Sequence, residues 1–330
     1  ESVAKFFESA ADPKPVKEAL AALIAQTNPK TIALGIDGKR GVTRSLTRST
    51  YQFLAEAVGP EIEKRFVPAE PLIEEYLDTR LPEETAPYLS MVRLTESLTH
   101  RALSNEVITP GKTTVGDLRR FLYDELGKAG VSTWFQPDVR VQRKGNKSDL
   151  SRGFLSVAQE AEVIQRGDLV HIDFGVTYLG LNTDWQKMAY VLGDGETDAP
   201  AGLKVALAHT NALQEAVMQE SKPGRAAADV YEAVMARMAT QGIEAQVYSH
   251  PLGNQGHGLG ASIDMRSATR KEPSKELRKG SWLALELNSK TPVPEWGGQL
   301  VYVMEEDPVR LTDEGWVPFV PRQTSFYLVK

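Results

Sequence analysis

The chain has 330 residues, 41% of them hydrophobic and 25% charged, and a formal net charge of −6, which is globular composition with room for one large domain or two smaller ones. Its 38 Lys and Arg against 44 Asp and Glu form no basic block, which argues against nucleic acid as a partner, and no apolar run approaches the roughly 18 residues of a membrane-spanning helix. The absence of cysteine removes disulfides, thiol nucleophiles and thiolate-held zinc or iron–sulfur centres.

Residues 1–75 read as a small α/β unit. Thr31 to Ile36 is a short apolar strand, Leu46 to Val58 is helix-like, Phe66 to Ala69 is a second strand, and Pro71 to Arg80 is helical. Two strands make a sheet too thin to stand alone. The boundary falls near Leu81-Pro82, where a proline and the acids Glu83 and Glu84 interrupt the pattern. The chain starts at Glu1 rather than Met. Its compartment therefore stays open: cytoplasm, or periplasm if a leader has been removed.

From about residue 83 the chain repeats itself. Residues 110–130 and 223–242 both open with Pro-Gly, reach an Asp (Asp117, Asp229) and close on a glycine (Gly130, Gly242). Leu118, Leu122 and Leu126 match Val230, Val234 and Met238, an i, i+4, i+8 stripe on one helix face. Each copy follows a longer helical segment (85–106 and 201–220) and precedes a strand-rich stretch. Two such halves predict an α+β domain with internal pseudo-symmetry, strands inside and helices outside.

The second half places acids where they need explaining. Leu169 to Gly175 reads as a strand carrying Asp173, and Asp184 follows eleven residues later, after a hairpin return through Gly180. Trp282 to Leu287 is an apolar strand interrupted by Glu286, and Val301 to Asp307 is a strand ending in Glu305, Glu306 and Asp307. Burying lone carboxylates costs several kcal/mol each unless they are paired or metal-bound. Four of them would be cancelled by two divalent cations, and a water between the two would give up its proton readily. His257 lies in Gly256-His257-Gly258-Leu259-Gly260, where glycines allow close backbone approach. Each member alone has an ordinary reading: Asp173 as a turn or cap residue, Glu286 as an outward side chain on an edge strand, His257 as a loop histidine. The set carries the argument.

With these residues in place, 83–330 resembles the metallopeptidase family of methionine aminopeptidases, aminopeptidase P, prolidases and creatinase, known for the pita-bread fold. The resemblance is closest to prolidase-like members, and 1–75 looks like the rear half of their accessory domain. It implies the ligand order Asp173, Asp184, His257, Glu286 and Glu306 around two divalent ions (manganese, cobalt, zinc or iron). It further implies hydrolysis of dipeptides or removal of an N-terminal residue from short peptides, and a possible homodimer. Glu286 would also shuttle the proton of the bridging water. Glu306 is preferred over Glu305 because Thr312 lies six positions past it, as a Thr commonly does in the family.

The departures bear on substrate choice. No histidine lies between His100 and His171, where family peptidases carry one that helps bind substrate. Seven residues after His257, where the family has a second histidine, stands Asp264, and Met304 replaces an Arg two before the last Glu. Strict proline specificity is therefore not implied. His250 is the candidate substitute for a substrate-binding and catalytic histidine, or a surface loop residue. Arg322 is a candidate anchor for a substrate carboxylate, or a solvated strand-end residue. His171, on the same strand face as Asp173, either supports the site or fills the core. A non-catalytic binding protein and a metal-independent C–N hydrolase on the same fold are the alternatives, and both normally lack the full ligand set.

Overall fold

The computed structural model describes residues 13–36, 46–146, 150–151, 154–253, 257–269 and 274–330. The chain divides between Tyr76 and Leu77 into two compact units. In the first, the strands Ile32–Leu34 and Phe66–Pro68 pair in parallel, with Ile32 opposite Phe66. The helices Pro13–Thr27, Arg48–Val58 and Pro60–Glu63 accompany them. Helix Arg48–Val58 begins where the Thr47 hydroxyl accepts from the Thr50 amide at 3.2 Å, an N-cap that sets its start two residues later than the apolar pattern suggests. Helix Pro13–Thr27 is an element that the sequence reading did not assign.

The second unit is built from two successive helix–helix–strand runs. Thr85–Ala102, Val115–Ala129 and Asp138–Gln142 form the first, and Ala201–Glu220, Ala227–Thr240 and Glu244–Pro251 the second. The paired Pro-Gly and terminal glycines have matching backbones. Gly111 and Gly224 turn at φ 77° and 82°, and Gly130 and Gly242 close their helices at φ 69° and 68°, a left-handed stop that glycine adopts at little cost. Helix Val115–Ala129 also carries a reciprocal cap between Thr114 and Asp117. The two apolar stripes are buried throughout. The first helix pair packs with Val170 and Ile172, the second with Leu283 and Leu285. Each fully buried Leu or Val contributes about 1.5–3 kcal/mol.

Between the helices lie two sheets. One has the order Tyr327–Val329, Gln186–Val191, Leu169–Asp173, Asp138–Gln142. The other runs Gln299–Glu305, Leu287–Val293, Glu244–Pro251, Trp282–Ala284, Pro308–Thr312, Gly315–Pro318, with Ile263–Asp264 pairing off this path. Two segments that read as continuous strands are broken in the second sheet, and each break falls at an acid. Trp282–Ala284 and Leu287–Val293 both pair with Glu244–Pro251, one at His250 and Pro251, the other at residues 244–247. At the jog between them, the Leu285 amide leaves for Asp307 O while Glu286 O accepts from the Tyr248 amide. Likewise Gln299–Glu305 and Pro308–Thr312 join different strands, and Glu306 sits at the switch. There its backbone exchanges hydrogen bonds with Gln186, at 3.2 and 3.3 Å, and so ties one sheet to the other.

Candidate metal centre

That seam gathers the acids. Asp173 ends its strand, with Asp138 opposite it on one side and Gln186 on the other. Gly175 follows closely because a Cβ there would collide with Thr183 O and the Trp134 indole. The hairpin then turns through Leu179 (φ 51°) and Gly180 (φ 78°), the two positive-φ positions of a tight two-residue turn. The return brings Asp184 back beside Asp173. Two groups result, each with ligand atoms within 4.8 Å of one another: Asp184, His250 and Glu306, and Asp173, Glu286 and Glu306. Glu306 belongs to both. Asp184, His250 and Glu306 are buried, and Asp173 and Glu286 are partly exposed.

The histidine drawn into this cluster is His250, whereas the sequence pointed to His257 as the metal-binding imidazole. His250 lies opposite Ala284, one strand from the Glu286 jog. Its Nε2 is 3.5 Å from Asp184 Oδ2 and 3.6 Å from both Glu286 Oε2 and Glu306 Oε1. His257 is exposed. Its ring meets the His250 ring edge-on at 4.5 Å and Trp134 at 5.2 Å, while Gly256 lies outside the described residues. The glycine flanks favoured His257, but paired strands decide position more rigidly than a loop does. One sequence signal pointed the other way. His257 stands seven residues after His250, the spacing at which the family's second histidine follows its metal ligand. Asp264 caps the short helix Met265–Thr269 instead, accepting from the Ser267 amide and hydroxyl at 2.6 and 2.8 Å.

The choice between the adjacent glutamates is resolved by what each faces. Glu306 enters the cluster, and Glu305 points away to Lys187, whose ammonium lies 2.9 Å from Glu305 Oε2 and 3.0 Å from Asp307 Oδ1. Lys187 is 1% exposed and also donates to the carbonyls of Gln186 and Glu306. It thus pins the backbone beneath the seam. Lys187→Met leaves two buried acids uncompensated and is expected to cost about 3–5 kcal/mol, read as a lower denaturation midpoint. A midpoint unchanged from the parent would contradict the arrangement.

Arg322, a candidate carboxylate anchor or solvated strand-end residue, is held by a helix. Its guanidinium donates to Gln214 Oε1 at 3.1 Å and Glu215 Oε2 at 3.0 Å on helix Ala201–Glu220. Those acceptors take up the fork that would have held a substrate carboxylate.

Gln186 is the site residue that the sequence reading missed. Its side-chain amide donates to Glu286 Oε1 at 2.5 Å and to Glu306 Oε2 at 3.0 Å, and its carbonyl oxygen meets His171 Nε2 at 3.0 Å. The available signal was a fully buried strand, Gln186–Val191, that opens on two polar residues. Polar side chains are rarely buried unless something nearby satisfies them.

Burial pushes the Asp173 carboxyl up to about 7, with the Arg140 guanidinium pulling it down. Burial also raises Asp184, Glu286 and Glu306 well above the carboxylate range, and the neighbouring acids add to it. Asp173 Oδ1, Asp184 Oδ1 and Glu306 Oε1 are buried without a hydrogen-bond partner among the described residues. Such a set of buried acids and one imidazole could hold a metal ion. Within the first group, His250 Nε2 lies 3.5 Å from Asp184 Oδ2 and 3.6 Å from Glu306 Oε1, a separation that fits donors sharing one ion at about 2.1 Å. Oxygen donors with one imidazole suit manganese, cobalt, iron or zinc.

Two sheets joined at an acidic seam, with two repeated helix pairs outside, define a metal-dependent hydrolase of the pita-bread class. The sequence profile of metallopeptidase family M24 matches residues 91–313, and the chain belongs to that family. No curated protein matches it in sequence. Among solved structures, the X-Pro aminopeptidase of Thermotoga maritima aligns with TM-score 0.70 at 17% identity, covering 98% of this chain and 81% of that one. The Xaa-Pro dipeptidase of Bacillus anthracis aligns at 0.64 and 18%, over 95% and 78%. A variant of Escherichia coli aminopeptidase P aligns at 0.65 and 16%, over 92% and 72%. At these identities the likeness is one of fold.

Proposed function

We propose that the protein is a dinuclear metallopeptidase that cuts dipeptides or removes the N-terminal residue of short peptides. The carrying observation is the convergence of four carboxylates and His250 on overlapping ligand groups that share Glu306. Asp184, His250 and Glu306 would hold one divalent ion and Asp173, Glu286 and Glu306 the second. Bound there, the ions would lower the pKa of a water and polarise the scissile carbonyl. Glu286, partly exposed, would accept a proton from water there and return it to the leaving amine. His257 and Trp134, beside His250, contact the peptide, which gives His257 the substrate-side role for which His250 was one candidate. Residues 1–75 are proposed as a partial accessory domain.

The test is hydrolysis of a panel of prolyl and non-prolyl dipeptides and tripeptides by metal-stripped protein, with manganese, cobalt or zinc restored. Metal-dependent release of the first residue is the expected result. Tight metal uptake without cleavage of any peptide would overturn the reading.

Metal removal has a pH signature. A carboxyl whose folded pKa lies above its unfolded value stabilises the fold fully below the unfolded value and loses that contribution as pH rises through the folded one. For Asp173 the window runs from 3.8 to about 7, and the other three acids shift the same way. The metal-free protein should therefore lose stability from these groups as pH climbs, and a cation that holds them ionised should offset the loss. The rise in melting temperature on adding manganese is expected to be larger at pH 8 than at pH 5. An equal rise at both would count against it.

A further inference from the structure

Gln186 does more than fill space beneath the cluster. Each glutamate is divided between two partners. Glu286 gives Oε1 to the Gln186 amide and turns Oε2 toward His250, while Glu306 gives Oε2 to the same amide and turns Oε1 toward His250. When a cation holds both carboxylates ionised they only accept hydrogen bonds, so the Gln186 NH2 faces both of them. Its carbonyl oxygen then faces His171 and can only accept, which requires His171 to donate from Nε2. His171 is fully buried, and Asp173 lies two residues further along the same strand. A single amide, oriented from behind by one imidazole, thus fixes the rotation of two carboxylates that come from different strand breaks.

We propose that Gln186, held in orientation by His171, is the positioning residue of the metal centre, and that it sets cation affinity by leaving Glu286 and Glu306 one inward-facing oxygen each. The proposal rests on the metallopeptidase reading. It assigns neither residue contact with the cation or the peptide. Without the amide, both carboxylates are free to rotate, and that freedom must be lost again when a cation binds. Residues that orient metal ligands in this way commonly account for about 10–100-fold in metal affinity.

The experiment is calorimetric titration of manganese into the metal-stripped full chain, with the cobalt-loaded absorption spectrum as a second readout of ligand geometry. Gln186→Met is expected to weaken manganese binding about 10–100-fold and shift the cobalt bands. His171→Met should weaken it less, and His171→Gln, which keeps a donor for the Gln186 carbonyl, should bind within about threefold of the parent. The double variant Gln186→Met with His171→Met should be no worse than Gln186→Met alone, because His171 acts only through the amide. The proposal is overturned if Gln186→Met binds like the parent with unchanged cobalt bands. It is also overturned if the two single losses multiply in the double variant. Should Gln186→Met fail to fold, the His171 pair decides: equal affinities for His171→Met and His171→Gln would overturn the relay. Peptide hydrolysis is read separately on the same samples. An effect on metal binding in a parent that cuts no peptide would uphold the relay and overturn only the peptidase reading.

Discussion

Glu306→Gln is expected to abolish stoichiometric cation uptake and to lower kcat/KM on the best dipeptide by at least about a thousandfold, equivalent to about 4 kcal/mol of transition-state stabilisation. Glu306 is the one carboxylate common to both ligand groups, and it is fully buried. The substitution removes a negative charge where no solvent can replace it, and it sets a second amide against the Gln186 amide. Metal content by mass spectrometry and steady-state kinetics with added manganese check the two halves. Glu305→Gln is the matched control. It disturbs the ion pair with Lys187, so it should lower thermal stability and leave metal stoichiometry unchanged. A Glu306→Gln protein within tenfold of the parent rate would remove Glu306 from the centre.

The two histidines separate just as sharply. His250→Ala is expected to lose at least about a hundredfold in manganese affinity, with hydrolysis falling in step. His257→Ala should keep its affinity within about threefold and raise KM, because His257 is exposed and meets Trp134 edge-on beside His250, where it is proposed to contact the peptide. Calorimetry with manganese and a KM against kcat comparison distinguish the cases. The reverse pattern, with metal lost in His257→Ala and kept in His250→Ala, would return the ligand role to the Gly-His-Gly element.

Much of the centre is visible in the chain because chemistry limits where an acid can sit in a strand. Asp173, Glu286 and Glu306 each interrupt an apolar run, and an isolated buried carboxylate is too costly to occur without a partner. The helix repeat is visible for a similar reason. Pro-Gly entry, an apolar stripe at i, i+4, i+8 and a terminal glycine are local features, set by backbone sterics and one buried face. The strand ends were less legible. Trp282 to Leu287 reads as one strand, yet its pairing breaks near Glu286, where Trp282–Ala284 and Leu287–Val293 pair with separate parts of the neighbouring strand.

Where a histidine or an amide points is a property of pairing. His250 reaches the carboxylates because the strand Glu244–Pro251 places it opposite Ala284, and nothing in Ser249-His250-Pro251 announces that register. Gln186 meets Glu306 because two sheets join there by a pair of backbone hydrogen bonds between residues 120 positions apart. Arg322 is engaged by a helix more than a hundred residues earlier, which supplies Gln214 and Glu215. The amino-acid order by itself determined the α+β class, the duplicated helix pairs and the supply of carboxylates that only a cation can reconcile, since these follow from burial cost and local backbone geometry. Only the tertiary structure decided which imidazole joins them, which of two adjacent glutamates turns inward, and which amide holds both in place. Those choices depend on long-range strand register, which local composition does not encode.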